Sequence, residues 1–265
     1  MNSVHSTSRV GDQAVVVTQV AERQWHALED DQVIGRGDAS RRPDGRIFLS
    51  IDSWQDAVFD QLAEVMLADL SKPLYTVVDE ADIDLTSNWQ RAGFTTRRRE
   101  WEYVVSTDPQ ITGLDSVLRP EGVRIIPVGA AQRAPLGELY NAIRDEVQAT
   151  IGWDSMPAEV LARPDGISLL DLSKYAVAAE SDRYVGLVRV VPRRRQARIG
   201  LVAVRADLCR HGIARALLAH VLGSLHRSGI ETAWAEVDES NGAAMALFEG
   251  LGARRASSNL ELVRR

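Results

Sequence analysis

Cysteine, long apolar runs and excess basic charge are all scarce in this chain. One cysteine, Cys209, among 265 residues excludes a disulfide framework and a cysteine-ligated zinc cluster. No apolar run approaches the roughly 20 residues of a membrane span, and the polar start has no signal-peptide core. The net charge of −6 and the pI of about 5.5 argue against a nucleic-acid-binding surface. We therefore expect a cytoplasmic protein that needs no metal and binds neither nucleic acid nor membrane.

What the chain does contain is a weak internal repeat. A length of 265 residues suits one large domain or two small ones. Hydrophobic residues make up 45% of the sequence, which is enough to form a buried core. Each half is predicted to form a three-strand meander, a helix, a strand, a short helix that ends in glycine, and a closing strand. The spacing agrees, since Trp25 precedes Gly35 by 10 residues and Tyr175 precedes Gly186 by 11. The repeat predicts two similar domains.

Hydrophobic periodicity places the predicted elements. The first half has predicted strands at residues 15–20, 25–29, 33–37, 47–51, 74–78 and 97–105, a helix from Trp54 and a short helix over 88–93. The second half has predicted strands at residues 174–180, 184–190, 197–204, 232–237 and 259–263, and helices over 132–150, from Gly212 and near 246–253. We expect a disordered start over 1–12, domains over 13–110 and 122–265, and a linker over 111–121.

The most informative stretch joins the β-branched run 199–204 to a long amphipathic helix that opens at Gly212. Small residues at a strand-to-helix junction leave backbone N–H groups free to bind an anion, and the helix dipole adds positive potential. Arg210 and Arg215 add formal charge beside them. This pattern predicts a pyrophosphate site without a P-loop lysine. The alternative is an ordinary helix start with a glycine and two solvated arginines.

The second half resembles the GCN5-related N-acetyltransferase (GNAT) superfamily over residues 122–265. In the family loop, Arg/Gln-x-x-Gly-x-Gly/Ala, Gly212 and Ala214 match the last two fixed positions, while Cys209 replaces the first. The Asn-x-x-Ala-x-x-x-aromatic-x-x-x-Gly element runs from Asn241 to Gly252. The first half resembles the same fold without the anion loop, an arrangement similar to that of the mycothiol synthases. The resemblance implies an α/β (α+β) protein with two tandem GNAT folds. Their sheets are mixed and mostly antiparallel, with a splayed parallel strand pair, and the N-terminal copy is degenerate.

The resemblance also implies acetyl-CoA as the co-substrate. The backbone at the end of the first splayed strand would pair with pantetheine and polarise the thioester carbonyl, and the loop N–H groups would bind the pyrophosphate. The residues assigned to acetyl-CoA in this way are Val202, Ala203, Val204, Cys209, Arg210, His211, Gly212, Ile213, Ala214, Arg215, Asn241 and Phe248. The valines could instead be plain core residues, and Asn241 could serve only as a helix N-cap.

The catalytic acid and base are less clear. Many GNAT members have a glutamate on the strand before the loop, but Arg198 occupies that position here. The remaining candidates for the general base are Glu236, Asp238, Asp154 and Glu146, and each could instead be a solvated or ion-paired surface group. Phe248 stands where many members have a tyrosine that protonates the departing thiolate. Water or another hydroxyl would then have to serve as the acid.

The resemblance implies direct transfer of an acetyl group from acetyl-CoA to a primary amine, and we expect the amine to belong to a small molecule. Cys209 lies in the anion loop, which argues against a covalent enzyme intermediate. Two alternatives stay open, namely a non-catalytic CoA-binding or CoA-sensing module and a protein lysine or N-terminal acetyltransferase. A homodimer is also left open.

Overall fold

The computed structural model describes residues 6–10, 13–42, 44–150, 152, 156 and 170–265. The chain divides into a first unit, Met1–Glu100 with Ser257–Arg265, and a second unit, Trp101–Ala256. The expected linker at 111–121 therefore falls inside the second unit, and the last residues of the chain belong to the first.

The described elements follow one another in this order. The strands are β1 (Ser6–Val10), β2 (Gln13–Ala21), β3 (Gln24–Glu29), β4 (Gln32–Arg41), β5 (Ile47–Ser53), β6 (Leu74–Asp79), β7 (Thr95–Ser106), β8 (Val123–Ile126), β9 (Tyr175–Glu180), β10 (Arg183–Arg193), β11 (Gln196–Val204), β12 (Thr232–Asp238) and β13 (Arg254–Arg264). The helices are α1 (Asp56–Asp69), α2 (Ile83–Arg91), α3 (Pro109–Thr112), α4 (Arg133–Gln148), α5 (Ile213–Arg227) and α6 (Gly242–Glu249). No helix of this described part is long and apolar enough to cross a membrane.

The sheet of the first unit has the strand order β1-β2-β3-β4-β5-β6-β13-β7. Its β5 and β6 run parallel, and their pairing covers only Ile47 with Leu74 and Phe48 with Tyr75. Helix α1 packs on one face and buries the residues that its periodicity predicts, which are Val58, Leu62, Val65 and Met66. The expected strand–helix–strand unit of this half is confirmed.

The sheet of the second unit has the order β7-β12-β11-β10-β9-β8, with β11 and β12 parallel. Helix α5 buries its whole predicted face, Ile213, Leu217, Leu218, Val221, Leu222 and Leu225. Helix α4 contributes Leu136, Leu139, Tyr140 and Ile143 to a separate apolar cluster with Tyr175, Leu187 and Leu201. The predicted mixed, mostly antiparallel α/β architecture is therefore confirmed in both units.

Two buried glycines, Gly35 and Gly186, hold the long helices close to their sheets. A Cβ built on Gly35 would lie 2.8 Å from Val58 Cγ1, and one on Gly186 would lie 3.1 Å from Ile213 Cγ2. Contacts this short leave no room for a side chain between strand and helix. The glycine at the end of each repeated spacing, Gly35 and Gly186, thus makes the same kind of close strand–helix contact in both halves.

Three expectations about elements differ from the structure. Residues 6–10 of the expected disordered start form β1, whose backbone pairs with β2. Helix α2 begins five residues earlier than predicted because the Asp82 carboxylate accepts a hydrogen bond from Leu85 N (3.0 Å). Strand β13 was expected to close the second half, but it pairs with β6 in the first unit. Periodicity identifies a strand and does not identify its partner, which explains the last difference.

Candidate functional site

Strands β11 and β12 separate where β11 carries a β-bulge. Their parallel pairing covers only residues 196–198 and 232–234. In the pairing of β11 with β10, Arg189 faces Leu201 and Val190 faces Ile199, so Gly200 is an extra residue on β11. A bulge bends and twists its strand. Beyond it, within the described residues, the edge of β11 that faces β12 has no strand partner, and the backbone of residues 202–204 lies open.

The loop after β11 presents a row of backbone donors, and we name residues 205–212 the diphosphate loop. Arg210 has φ +66° and Gly212 has φ +80°, which is the left-handed region that favours glycine. Within the described residues, the N–H groups of 210–214 have no hydrogen-bond acceptor. Helix α5 starts at Ile213 with no acidic residue in its first turn. Unpaired N–H groups at a helix N-terminus are suited to bind a phosphate or diphosphate.

Glu146 of α4 fixes the start of this loop. Arg205 Nε donates to Glu146 Oε1 at 2.7 Å, and Ala206 N donates to Glu146 Oε2 at 2.9 Å. Both carboxylate oxygens are therefore engaged in contacts that position the loop. This arrangement favours a structural role for Glu146 over the predicted role of general base.

The other residues assigned to acetyl-CoA lie around the same loop. Val202, Ala203, Val204 and Ala214 are half-buried, and Cys209, His211 and Arg215 are exposed. The Ile213 side chain is buried in the core, so only its backbone can reach a ligand. The Cys209 thiol donates to the Arg205 carbonyl at 3.5 Å.

Asn241 caps α6 at the end of the neighbouring strand. Its Oδ1 accepts a hydrogen bond from Ala244 N at 3.0 Å, as the N-cap interpretation predicts. Its Nδ2 has no partner within the described residues and can still donate to a ligand. The two interpretations of Asn241 are therefore compatible.

Glu236 stands beside the point where the two strands separate. Arg198, the last paired residue of β11, donates through a terminal nitrogen to Glu236 Oε2 at 2.5 Å. The Arg198 guanidinium also lies 5.1 Å from the Trp234 ring centre. Glu236 Oε1 has no hydrogen-bond partner within the described residues, so this oxygen can accept a proton.

Phe248 is a core residue in this structure. It is 4% exposed, and its ring stacks on Tyr103 with ring centres 5.8 Å apart. Tyr103 donates to Glu249 Oε1 at 2.8 Å and accepts from Arg255 Nε at 2.9 Å. Burial first, and then the hydrogen bond to Glu249, raise the pKa of Tyr103 above its ordinary value. The phenol is thus no better an acid than a free tyrosine and does not replace the missing one.

Sequence reasoning missed the two ion pairs that organise the site. The pairs Arg205–Glu146 and Arg198–Glu236 join residues 59 and 38 positions apart, too far for any local pattern.

The predicted candidate Asp154 lies outside the described residues. A cavity of about 270 Å³ near Gln132 and Tyr184 is lined by none of the predicted site residues.

The second unit of this α/β protein thus combines an open parallel strand pair with a row of free N–H groups, a geometry suited to an anion. The Acetyltransferase (GNAT) family model matches residues 139–253, which include the bulge, the diphosphate loop and α6. This segment, less than half of the chain, is thus similar to the GNAT acetyltransferase family.

Curated relatives match a short part of the chain. A [Ribosomal protein bS18]-alanine N-acetyltransferase of Escherichia coli K12 is 46% identical over 56 residues, which is 21% of this chain and 38% of that protein. The protein of the same name from Salmonella typhimurium is 45% identical over the same share of each chain. The chain thus spans well under half the length of these relatives.

Solved structures resemble more than nine-tenths of the chain. A GCN5-related N-acetyltransferase from Sphaerobacter thermophilus has a TM-score of 0.65 at 16% identity, covering 93% of this chain and 81% of its own. A tandem GNAT protein from the clavulanic acid biosynthesis pathway has a TM-score of 0.63 at 14% identity, covering 94% and 83%. At these identities the likeness shows the fold alone. The similarity to the mycothiol synthases stays a prediction.

Proposed function

We propose that this protein is an acetyl-CoA-dependent N-acetyltransferase that acts on a primary amine. The observation that carries the proposal is the row of free N–H groups at residues 210–214, which suits the diphosphate of CoA. The open edge of β11 over residues 202–204 would pair with the pantetheine and orient the thioester carbonyl toward the gap between β11 and β12. Donors held in place before the reaction stabilise the oxyanion as it develops.

Glu236 is the base that we propose. Of the predicted candidates that the structure describes, Glu146 has both oxygens engaged, whereas Glu236 keeps Oε1 open. Glu236 would take a proton from the incoming ammonium, directly or through a water. The amine nitrogen then bonds to the acetyl carbon, the carbon–sulfur bond breaks, and CoA leaves as a thiolate. The second proton that the nitrogen loses on forming the amide passes through water to this thiolate. Arg198 would hold Glu236 in place through Oε2.

The acceptor that we propose is a small-molecule amine, as the sequence analysis expects. A protein amine is the second candidate, and the partial match to enzymes named as ribosomal protein alanine acetyltransferases favours it. A CoA-binding module without catalysis is the third, favoured by Phe248, which has no hydroxyl to serve as the acid. We also propose a cytoplasmic location and leave a homodimer open.

The test measures CoA release from acetyl-CoA with a thiol reagent across a panel of amines. The panel contains polyamines, aminoglycosides and peptides with a free N-terminal alanine. Turnover of a small amine supports the proposal, and turnover of the peptides alone would select the second candidate. CoA binding in calorimetry with no turnover of any amine would select the third. Failure to bind acetyl-CoA would contradict all three.

A further inference from the structure

The first unit exposes two large apolar side chains, Trp54 and Ile83. Trp54 directly follows β5 and is 88% exposed, and Ile83 opens α2 and is 73% exposed. Trp54 makes no hydrogen bond or ring contact within the described residues. Exposed large apolar side chains indicate an interaction surface when they share one region of the molecule.

Both side chains lie at the carboxyl end of the parallel strands β5 and β6. Parallel pairing at residues 47–48 and 74–75 directs both strands toward the same edge of the sheet, although the pairing stops before the strands end. Asn88 Nδ2 of α2 donates to Asp56 Oδ1 of α1 at 3.1 Å, which ties the two helices together there. Trp54 lies two residues before Asp56. Ile83 lies five residues before Asn88 in α2, a distance of about 7 Å along the axis of that helix.

The surroundings of this pair are strongly acidic. Residues 52–84 contain nine aspartates or glutamates and one lysine, and of these acids Asp60 and Glu80 are paired with Arg91 and Arg99. Asp52 lies two residues before Trp54, and Asp84 directly follows Ile83. Both are exposed, and their side chains make no hydrogen bond or ion pair within the described residues; Arg36 is the cross-strand neighbour of Asp52. Their charge is therefore available to a partner. We name Trp54, Ile83, Asp52 and Asp84 the Trp54 patch.

We propose that the Trp54 patch binds a basic polypeptide segment that carries apolar side chains. An apolar side chain of the partner would pack on Trp54, since tryptophan is enriched at the energetic centres of interfaces. Arginine or lysine groups of the partner would pair with Asp52 and Asp84. The same carboxylates repel phosphate, so nucleic acids and anionic lipids do not fit. This surface goes beyond the proposed function, because binding there requires no acetyl transfer.

The experiment measures fluorescence anisotropy of a labelled probe, a short peptide of alternating arginine and leucine with an acetylated N-terminus. The probe has no primary amine and cannot be acetylated, so failure of the proposed catalysis leaves this test intact. We expect the full chain to bind the probe and about 0.5 M salt to weaken binding. Trp54→Ala should raise Kd about 10-fold. Leu118→Ala, at a 90% exposed leucine of the second unit, should not change it.

Charge is tested separately. The double variant Asp52→Asn/Asp84→Asn should weaken binding several-fold, whereas Asp115→Asn/Glu121→Gln removes the same charge from the second unit and should not. Equal binding by the wild type and Trp54→Ala would overturn the proposal, as would equal binding of a probe with glutamate in place of arginine. A dimer in sedimentation that Trp54→Ala abolishes would assign the patch to a second copy of the chain and also overturn it.

Discussion

The two strand-to-helix connections of this molecule differ in charge and conformation while sharing their packing. In the first unit, two residues separate β5 from α1, and α1 begins with an acid, Asp56. In the second unit, eight residues separate β11 from α5, and no acid lies in the first turn. Gly35 and Gly186 nevertheless seat both helices on their sheets in the same way.

The features that we propose for binding lie in the strand-to-helix connections, while the packing of strand and helix is shared by both units. The second connection contains three arginines and one aspartate over residues 205–215, and it presents free N–H groups. The first has Asp52 and Asp56 on either side of Trp54. One topological position thus suits an anion in one unit and a cationic, apolar partner in the other.

The largest expected effect comes from replacing Glu236, the proposed base of the second unit. Glu236→Gln should lower kcat by about 100-fold or more, because general base catalysis contributes 10²–10⁴-fold. Affinity for acetyl-CoA should not change, since Glu236 does not belong to the diphosphate loop. The matched control is Glu64→Gln, at an exposed position of α1 in the first unit. A wild-type kcat for Glu236→Gln, measured by CoA release, would remove Glu236 from the mechanism.

The next test concerns the conformation of the diphosphate loop. Gly212→Val should weaken CoA binding at least 10-fold, because φ +80° costs a residue with a Cβ about 1–2 kcal/mol and the loop would shift to relieve it. Isothermal titration calorimetry measures the effect. Gln55→Ala changes the corresponding N-cap of α1 and should leave CoA binding unchanged. If both variants lost affinity, the assignment of CoA to the second unit alone would be wrong.

The shared packing contact predicts an effect on stability in both units. Gly35→Ala should lower the free energy of unfolding by about 2 kcal/mol and Gly186→Ala by about 1 kcal/mol, since overpacking typically costs about 1–3 kcal/mol. The new Cβ would lie 2.8 Å from its nearest atom at Gly35 and 3.1 Å at Gly186, so the Gly35 substitution should cost more stability. Chemical denaturation measures both. Gly137→Ala on α4 meets no atom within 4 Å and should stabilise slightly, as alanine favours a helix.

Alkaline pH should lower the stability of the second unit more than that of the first, by less than the glycine substitutions do. Burial, more than the nearby Tyr140, raises the pKa of Tyr175 to about 12 from 10.0. The folded state holds this proton more tightly than the unfolded state, so stability is intact below pH 10 and falls as the pH rises toward 12. At pH 11 the loss is about 1 kcal/mol.

Hydrogen exchange resolved by unit checks the alkaline effect. Tyr175→Phe should reduce the loss in the second unit, where Tyr103 adds a smaller contribution of the same sign. The loss that Tyr175 causes should be confined to the second unit, where Tyr175 is buried. Equal alkaline loss from both units would show that another group dominates.

The sequence predicted those features that depend on neighbours along the chain. The apolar face of α5 follows from helical periodicity, and the Asn241 cap follows from a polar residue between strand and helix. The row of free N–H groups near Gly212 follows from a small residue after a strand. Contacts that depend on the folded arrangement could not be found, among them Arg198 with Glu236 and the pairing of β13 with β6.

The place of β13 has a consequence for the order of events during synthesis. Residues 257–264 lie between β6 and β7 in the first sheet and are translated after the whole second unit. Until then the nascent first unit has two exposed strand edges, which are sites for incorrect pairing. Its last step of folding must join residues about 180 positions apart, such as Asp79 and Asn259, and such distant contacts form slowly. The unit that begins first on the ribosome is therefore completed last.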